Sequence, residues 1–207
     1  MWKNSTGYPP KVLAIYEAVV RLLKEGRDIN TLKVADIAKE AGIGKGTAYE
    51  YFSSKEEILA KSLIFTLRTA VGDILNGLEK ANSLKGCLSA FAKCLQNNQG
   101  IQLTLDFVEK LVNNSPGMQM SLKEELMREI RENDYILNIV RICVRAGLED
   151  GSIPEQADMD YVEFVVESAL TILFSNFNRC GQFGENRLSQ EQIFEYTCQM
   201  IEASFKK

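Results

Sequence analysis

Apolar residues recur at helical spacing along the chain, and no β-rich run competes with them. Between Lys11 and Glu25 the stripe is Val12, Ile15, Val19, Leu22 and Leu23, and Gly26 ends it. Asp28-Ile29-Asn30-Thr31 predicts a loop in which Asn30 or Thr31 can cap a second helix running to about Ala41. A short third helix spans Lys45 to Tyr51. Ser53 or Ser54 then caps a long fourth helix reaching about Lys80. Glu56 and Glu57 lie in its first turn, where carboxylates favour the positive helix end. Further helices are predicted near 84–97, 101–114, 118–148, 158–179 and 189–205. Ser115-Pro116-Gly117 and the run Glu149 to Pro154 are breaks, and Cys180 to Arg187 is the last loop. Asn133-Asp134 interrupts the 118–148 segment, which is one bent helix or two. The predicted fold class is all-α.

The stretch from Val34 to Lys55 says most about function. Ile37 and Ala38 face inward on the second helix, and Gly42 sits where that helix must stop and the chain must swing round. Ala38 is small enough for the next helix to cross close by. The third helix then presents Lys45, Gly46, Thr47, Tyr49 and Tyr51, a polar face of phosphate and base-edge donors. This is a helix-turn-helix, whose second helix enters the major groove. The segment resembles the DNA-binding domain of the TetR/AcrR family. It matches the family pattern at Asp36-Ile37-Ala38, Ala41-Gly42-Ile43, Gly46-Thr47, Tyr49, Tyr51-Phe52 and Ser54 to Leu59. The resemblance implies an N-terminal DNA-binding domain over residues 1–55 and a larger helical effector-binding and dimerisation domain over 56–207.

On this resemblance Lys45 reaches base edges or phosphates, while Thr47 and Tyr51 match the family's phosphate-contacting hydroxyls; Tyr49 is similar or else half core. Lys55 adds a charge beside the N–H groups of the fourth helix, and Lys33 can reach a phosphate from the start of the second. Four positions depart from the pattern. Gly44 stands where a polar residue such as serine is usual, so a cap or a phosphate contact is missing. Ala48 replaces a larger aliphatic, which predicts a less filled core. Glu50 either accepts from a cytosine amino group or points away. Lys33 replaces a capping Ser or Thr.

Farther along, the 158–179 helix carries two apolar lines. One runs Val162, Val166, Leu170, Leu173, Phe177; the other runs Tyr161, Val165, Ala169, Ile172. A helix apolar on two sides is buried on two sides. With Ile193, Tyr196 and Met200 of the last helix, the residues Val162, Val166 and Leu170 are predicted to meet a second subunit; the family pairs these helices into a four-helix interface. The resemblance also implies an effector pocket, for which Phe65, Phe91, Phe107, Leu111, Met127, Tyr135, Ile139 and Phe174 are the candidate lining.

Composition narrows the rest. The net charge of -4 is unevenly spread: residues 1–57 hold nine Lys/Arg and eight Asp/Glu, leaving fifteen and twenty beyond. DNA binding needs a local basic surface, not a basic chain. The chain has no histidine, which removes histidine triads, common zinc sites and imidazole catalysis. Five cysteines without C-x-x-C spacing read as reduced thiols. Gly42 to Thr47 is no phosphate-binding loop, because Gly46 separates Lys45 from Thr47 and Lys39 occupies the earlier glycine position. No cofactor is called for. The N-terminus lacks the apolar core of a signal peptide, and Glu163 and Glu167 interrupt the most apolar stretch. The expectation is a cytoplasmic homodimer with no membrane partner. It binds an operator in double-stranded DNA, as a repressor released by an apolar or amphipathic ligand. A nucleoid- or division-associated DNA-binding protein of the same fold, without an effector, is the alternative. An enzyme carrying a helix-turn-helix appendage has no catalytic cluster to support it.

Overall fold

A computed structural model describes residues 7–97, 124, 127–129, 131–179 and 188–206. The predicted helix 101–114, the Ser115-Pro116-Gly117 break, the start of the 118–148 segment and the loop 180–187 lie outside the described residues, as do Phe107 and Leu111. Among the described residues the continuous helices are α1 (Pro10–Lys24), α2 (Val34–Glu40), α3 (Lys45–Tyr51), α4 (Lys55–Leu78), α5 (Leu84–Asn97), α6 (Tyr135–Glu149), α7 (Met159–Arg179) and α8 (Gln190–Phe205). No strand occurs among the described residues, and the fold is all-helical. No helix there is long and apolar enough to cross a membrane. The chain divides into two compact units, Met1–Gly72 with Gly100–Asn133, and Asp73–Gln99 with Asp134–Lys207.

In the first unit α1 starts at Pro10, whose fixed φ suits a first helical residue. Its predicted stripe is inward: Val12, Ile15, Val19 and Leu22 are buried. The cap expected from Asn30 or Thr31 is not formed. Both residues instead close a turn on Asp28, through Asn30 N–H to Asp28 Oδ1 (3.0 Å) and Thr31 Oγ1 to Asp28 O (3.0 Å). The helix begins three residues later, capped in reverse: the Lys33 N–H donates to Asp36 Oδ2 at 3.2 Å. A lysine cannot accept a capping bond, so Asp36 satisfies that end.

The turn after α2 is a Schellman arrangement. Ile43 N–H donates to Ala38 O (2.9 Å) and Gly42 N–H to Lys39 O (3.1 Å), with Gly42 at φ +70. The last carbonyls of α2 are thereby satisfied and the chain is aimed into α3. Arg21 reaches across from α1, its Nε donating to Glu40 Oε1 at 2.7 Å.

The second unit packs α7 against α8, α6 and α5. The break foreseen at Asn133-Asp134 is real: Asp134 has φ 42, and α6 starts after it. At the other end of α6, Gly147 is buried. A Cβ there would stand 2.5 Å from Ile153 Cδ1, so a larger residue would force the buried Ile153 side chain to move. Cys87, Cys94, Cys143 and Cys198 are free thiols. Burial pushes the Cys94 and Cys198 thiols up, away from the reactive thiolate.

Candidate nucleic-acid interface

Helix α3 has one buried residue, Ala48. It sits fully enclosed in the core cluster with Ile37, Ala38, Phe52 and Ile58. Its side chain has no exposed surface. The rest of α3 faces outward. Lys45, Gly46, Tyr49, Glu50 and Tyr51 are exposed and Thr47 is half-buried. Lys45 and Tyr49, one turn apart, form a unit in which Nζ lies 5.8 Å from the ring centroid. Gly44 is the N-cap and supplies no side-chain bond, as its departure from serine implied. At Gly46 an added Cβ would meet nothing within 4 Å.

The start of α4 supports α3 from below. Ser54 Oγ accepts the Glu57 N–H (3.1 Å), and Glu57 Oε2 accepts the Ser53 N–H (2.6 Å). Lys61 Nζ closes on Glu57 Oε1 at 2.5 Å. The Lys61 hydrogen bond, then the Ser53 N–H, hold the Glu57 carboxyl below its ordinary value. Lys55, predicted as a phosphate ligand, is half-buried and donates from Nζ to Asn30 O at 3.1 Å. Lys33 is exposed.

Two groups of predicted residues fare differently. The candidate pocket residues are divided between the two units, and Phe107 and Leu111 lie outside the described residues. Phe65 packs in the first unit against Tyr8 and Tyr16, with ring centroids 5.7 and 5.2 Å away, and Met127 is half-buried in that unit. Phe91, Tyr135 and Ile139 are buried in the second unit, where Phe174 is half-buried. A cavity of about 710 Å³ does open in the first unit, but none of these residues lines it.

The residues predicted for the subunit face divide by exposure. Val162, Val166, Leu170 and Ile193 are buried within the single chain. Tyr196 is 51% exposed and Met200 half-buried, and both line a small cavity of about 180 Å³ with Ile172 and Leu188. The outward apolar residues of α7 are Tyr161 at 48% and Phe164 at 67%. Sequence periodicity missed Phe164 because it falls on neither apolar line.

A tripod of helices held by a Schellman turn, with the third projecting a polar face from a single buried residue, defines a helix-turn-helix DNA-binding regulator. Residues 15–61 match the family described as bacterial regulatory proteins, tetR family. The N-terminal part of the chain thus carries a TetR-family DNA-binding domain. It is similar to the fatty acid metabolism regulator protein of Bacillus subtilis, with 28% identity over 72% of this chain and 74% of that one. Among solved structures, a TetR regulator of Haloarcula marismortui aligns over 96% of this chain and 97% of its own with TM-score 0.67 at 20% identity. A FadR regulator of Bacillus subtilis in complex with stearoyl-CoA aligns over 94% and 97% with TM-score 0.58 at 16% identity. The relatives and the fold are those of regulators, not of enzymes.

Proposed function

We propose that this regulator is a cytoplasmic homodimeric repressor that reads a specific operator and is released by a small apolar or amphipathic effector. The observation that carries the DNA half is the outward face of α3. Lys45 is its base-edge reader, Thr47, Tyr49 and Tyr51 its phosphate hydroxyls, and Lys33 and Lys55 the flanking charges. Gly46 supports this reading on energetic grounds. Glycine inside a helix costs about 1 kcal/mol relative to alanine, and nothing in the fold occupies the space a side chain would take. The need for a bare backbone therefore comes from outside, as it does where a phosphate must approach closely. Residues 1–55 are taken as the reading head and 56–207 as the part that dimerises and senses.

Exposed Tyr161, Phe164 and Tyr196 support the dimer. Aromatic residues left in water on neighbouring helices are typical of the centre of a subunit contact. Half-buried Ser168, Ile172 and Met200 continue that face at helical spacing. Symmetry then sets two α3 helices about 34–36 Å apart, or a multiple, for successive major grooves. The name of the Bacillus relative, a regulator of fatty acid metabolism, supports an amphipathic effector class. Whatever the ligand, linkage requires that DNA weaken its binding as much as it weakens DNA binding.

Selection of bound fragments from random duplex DNA, with sedimentation of the purified chain, tests the reading. A two-fold symmetric site and a dimer are expected. A monomer that retains no preference among duplexes removes it.

A further inference from the structure

We propose that the cavity of the first unit binds a small organic anion, a carboxylate on a flat apolar body. The inference rests on the effector-responsive reading above and adds a place and a chemistry to it. At about 710 Å³ the cavity has the size of a ligand site. Part of its lining is apolar: Tyr8, Val12, Tyr16, Phe52 and Ile64. The rings meet edge to face, Tyr8 to Tyr16 at 5.5 Å and Tyr16 to Phe52 at 6.0 Å; Tyr16 and Phe52 are almost wholly buried, so half-buried Tyr8 is the ring left for an occupant's flat body to meet.

The remaining lining is charged, and its spare capacity is for donating. Arg68 grips Glu129 with both prongs, Nε to Oε1 at 2.7 Å and Nη2 to Oε2 at 2.8 Å. Glu129 is nine-tenths buried, so its charge is satisfied by that fork. Lys61 gives one hydrogen bond to Glu57 and keeps its other N–H donors. Arg128 and Glu132 line the cavity without a hydrogen bond or ion pair among the described residues. A guanidinium fork and a partly used ammonium thus stand against one uncommitted carboxylate. An organic cation would meet both positive groups and find Glu129 already taken.

The cavity also touches the DNA-reading element. Tyr51 is the last residue of α3 and Phe52 its C-cap, and both are in the lining. An occupant seated against Tyr51 competes with the reach of that hydroxyl towards a phosphate. The lining comes from four separated stretches of sequence, which is why no local motif announces it.

Titration of the full-length protein with anthracene-2-carboxylate, followed by fluorescence, tests the site against the uncharged methyl ester. The acid should bind at least tenfold more tightly than the ester. Arg128→Gln, on an exposed side chain, should cost about tenfold in affinity for the acid, Arg128→Lys should recover part of it, and Glu132→Gln should tighten binding about twofold to threefold. No saturable binding, equal affinity for acid and ester, or indifference to Arg128→Gln and Lys61→Gln together would overturn the proposal. Operator binding measured in the same samples separates the two claims. A compound that releases DNA equally from the wild type and Arg128→Gln leaves the effector reading standing and removes this site. Arg128-dependent binding that never disturbs DNA keeps the site and removes the effector reading.

Discussion

Helices α3 and α7 differ in what their side chains answer to. α3 is seven residues long and commits only Ala48 to the interior. α7 is 21 residues long and buries Val162, Val165, Val166, Ala169, Leu170, Leu173 and Phe177. One helix is held in place by its flanks, through the Schellman turn before it and the Ser54–Glu57 cap after it. The other is held by its own apolar surface. Substitutions on α3 should therefore be read out in binding, and substitutions on α7 in folding or assembly.

The largest test contrasts two glutamates on α7. Val166→Glu puts a carboxylate where no water reaches, and should destabilise the fold by about 4 kcal/mol or more, measured by urea unfolding. Phe164→Glu, only two residues away but 67% exposed, should leave each subunit folded and shift sedimentation from dimer to monomer. If Phe164→Glu sediments as the wild type does, this aromatic face is not the subunit contact. Next in size is Lys45→Ala, expected to cost about 1–3 kcal/mol of operator affinity and to relax selectivity, with the dimer unchanged. Equal affinity and equal selectivity by filter binding would take Lys45 out of the contact set.

Gly46→Ala makes the contrast sharpest, because the two readouts should move in opposite directions. Thermal stability should rise by about 0.5–1 kcal/mol from helix propensity, while operator affinity falls. A rise in stability with undiminished binding would mean that no DNA backbone approaches that position. The smallest effect belongs to Glu57→Gln, worth less than about 1 kcal/mol because the Lys61 pair is partly solvated. Its sign follows from linkage. The folded-state pKa is depressed, so the stabilisation is present above the ordinary carboxylate value of 4.5 and is lost as pH falls through the lower folded value. Chemical denaturation at pH 7 and at pH 3 should show the Gln variant closing on the wild type at the acid end.

The helix-turn-helix was legible in the sequence because its determinants are local. Gly42 at a left-handed position and Ser54 three residues before Glu57 fix their geometry within a turn or two of chain. The cap of α2 was misread because Asn30 and Thr31 have a nearer acceptor in Asp28. The apolar lines of α7 were seen, but periodicity says only that a side is buried, not by what. Val162, Val166 and Leu170 are covered by the chain itself, and the outward role falls to Phe164, off both lines. The cavity in the first unit was invisible for the same reason on a larger scale: Tyr8, Phe52, Arg68 and Arg128 become neighbours only after folding.

The enclosed methyl of Ala48 has an evolutionary corollary. Since one small side chain seats the helix, its other positions can drift or be randomised at little thermodynamic cost, and new operator preferences can arise without rebuilding the scaffold. A repertoire varied at positions 45, 47, 49 and 50 with Ala48 kept should consist mostly of well-folded members with divergent targets.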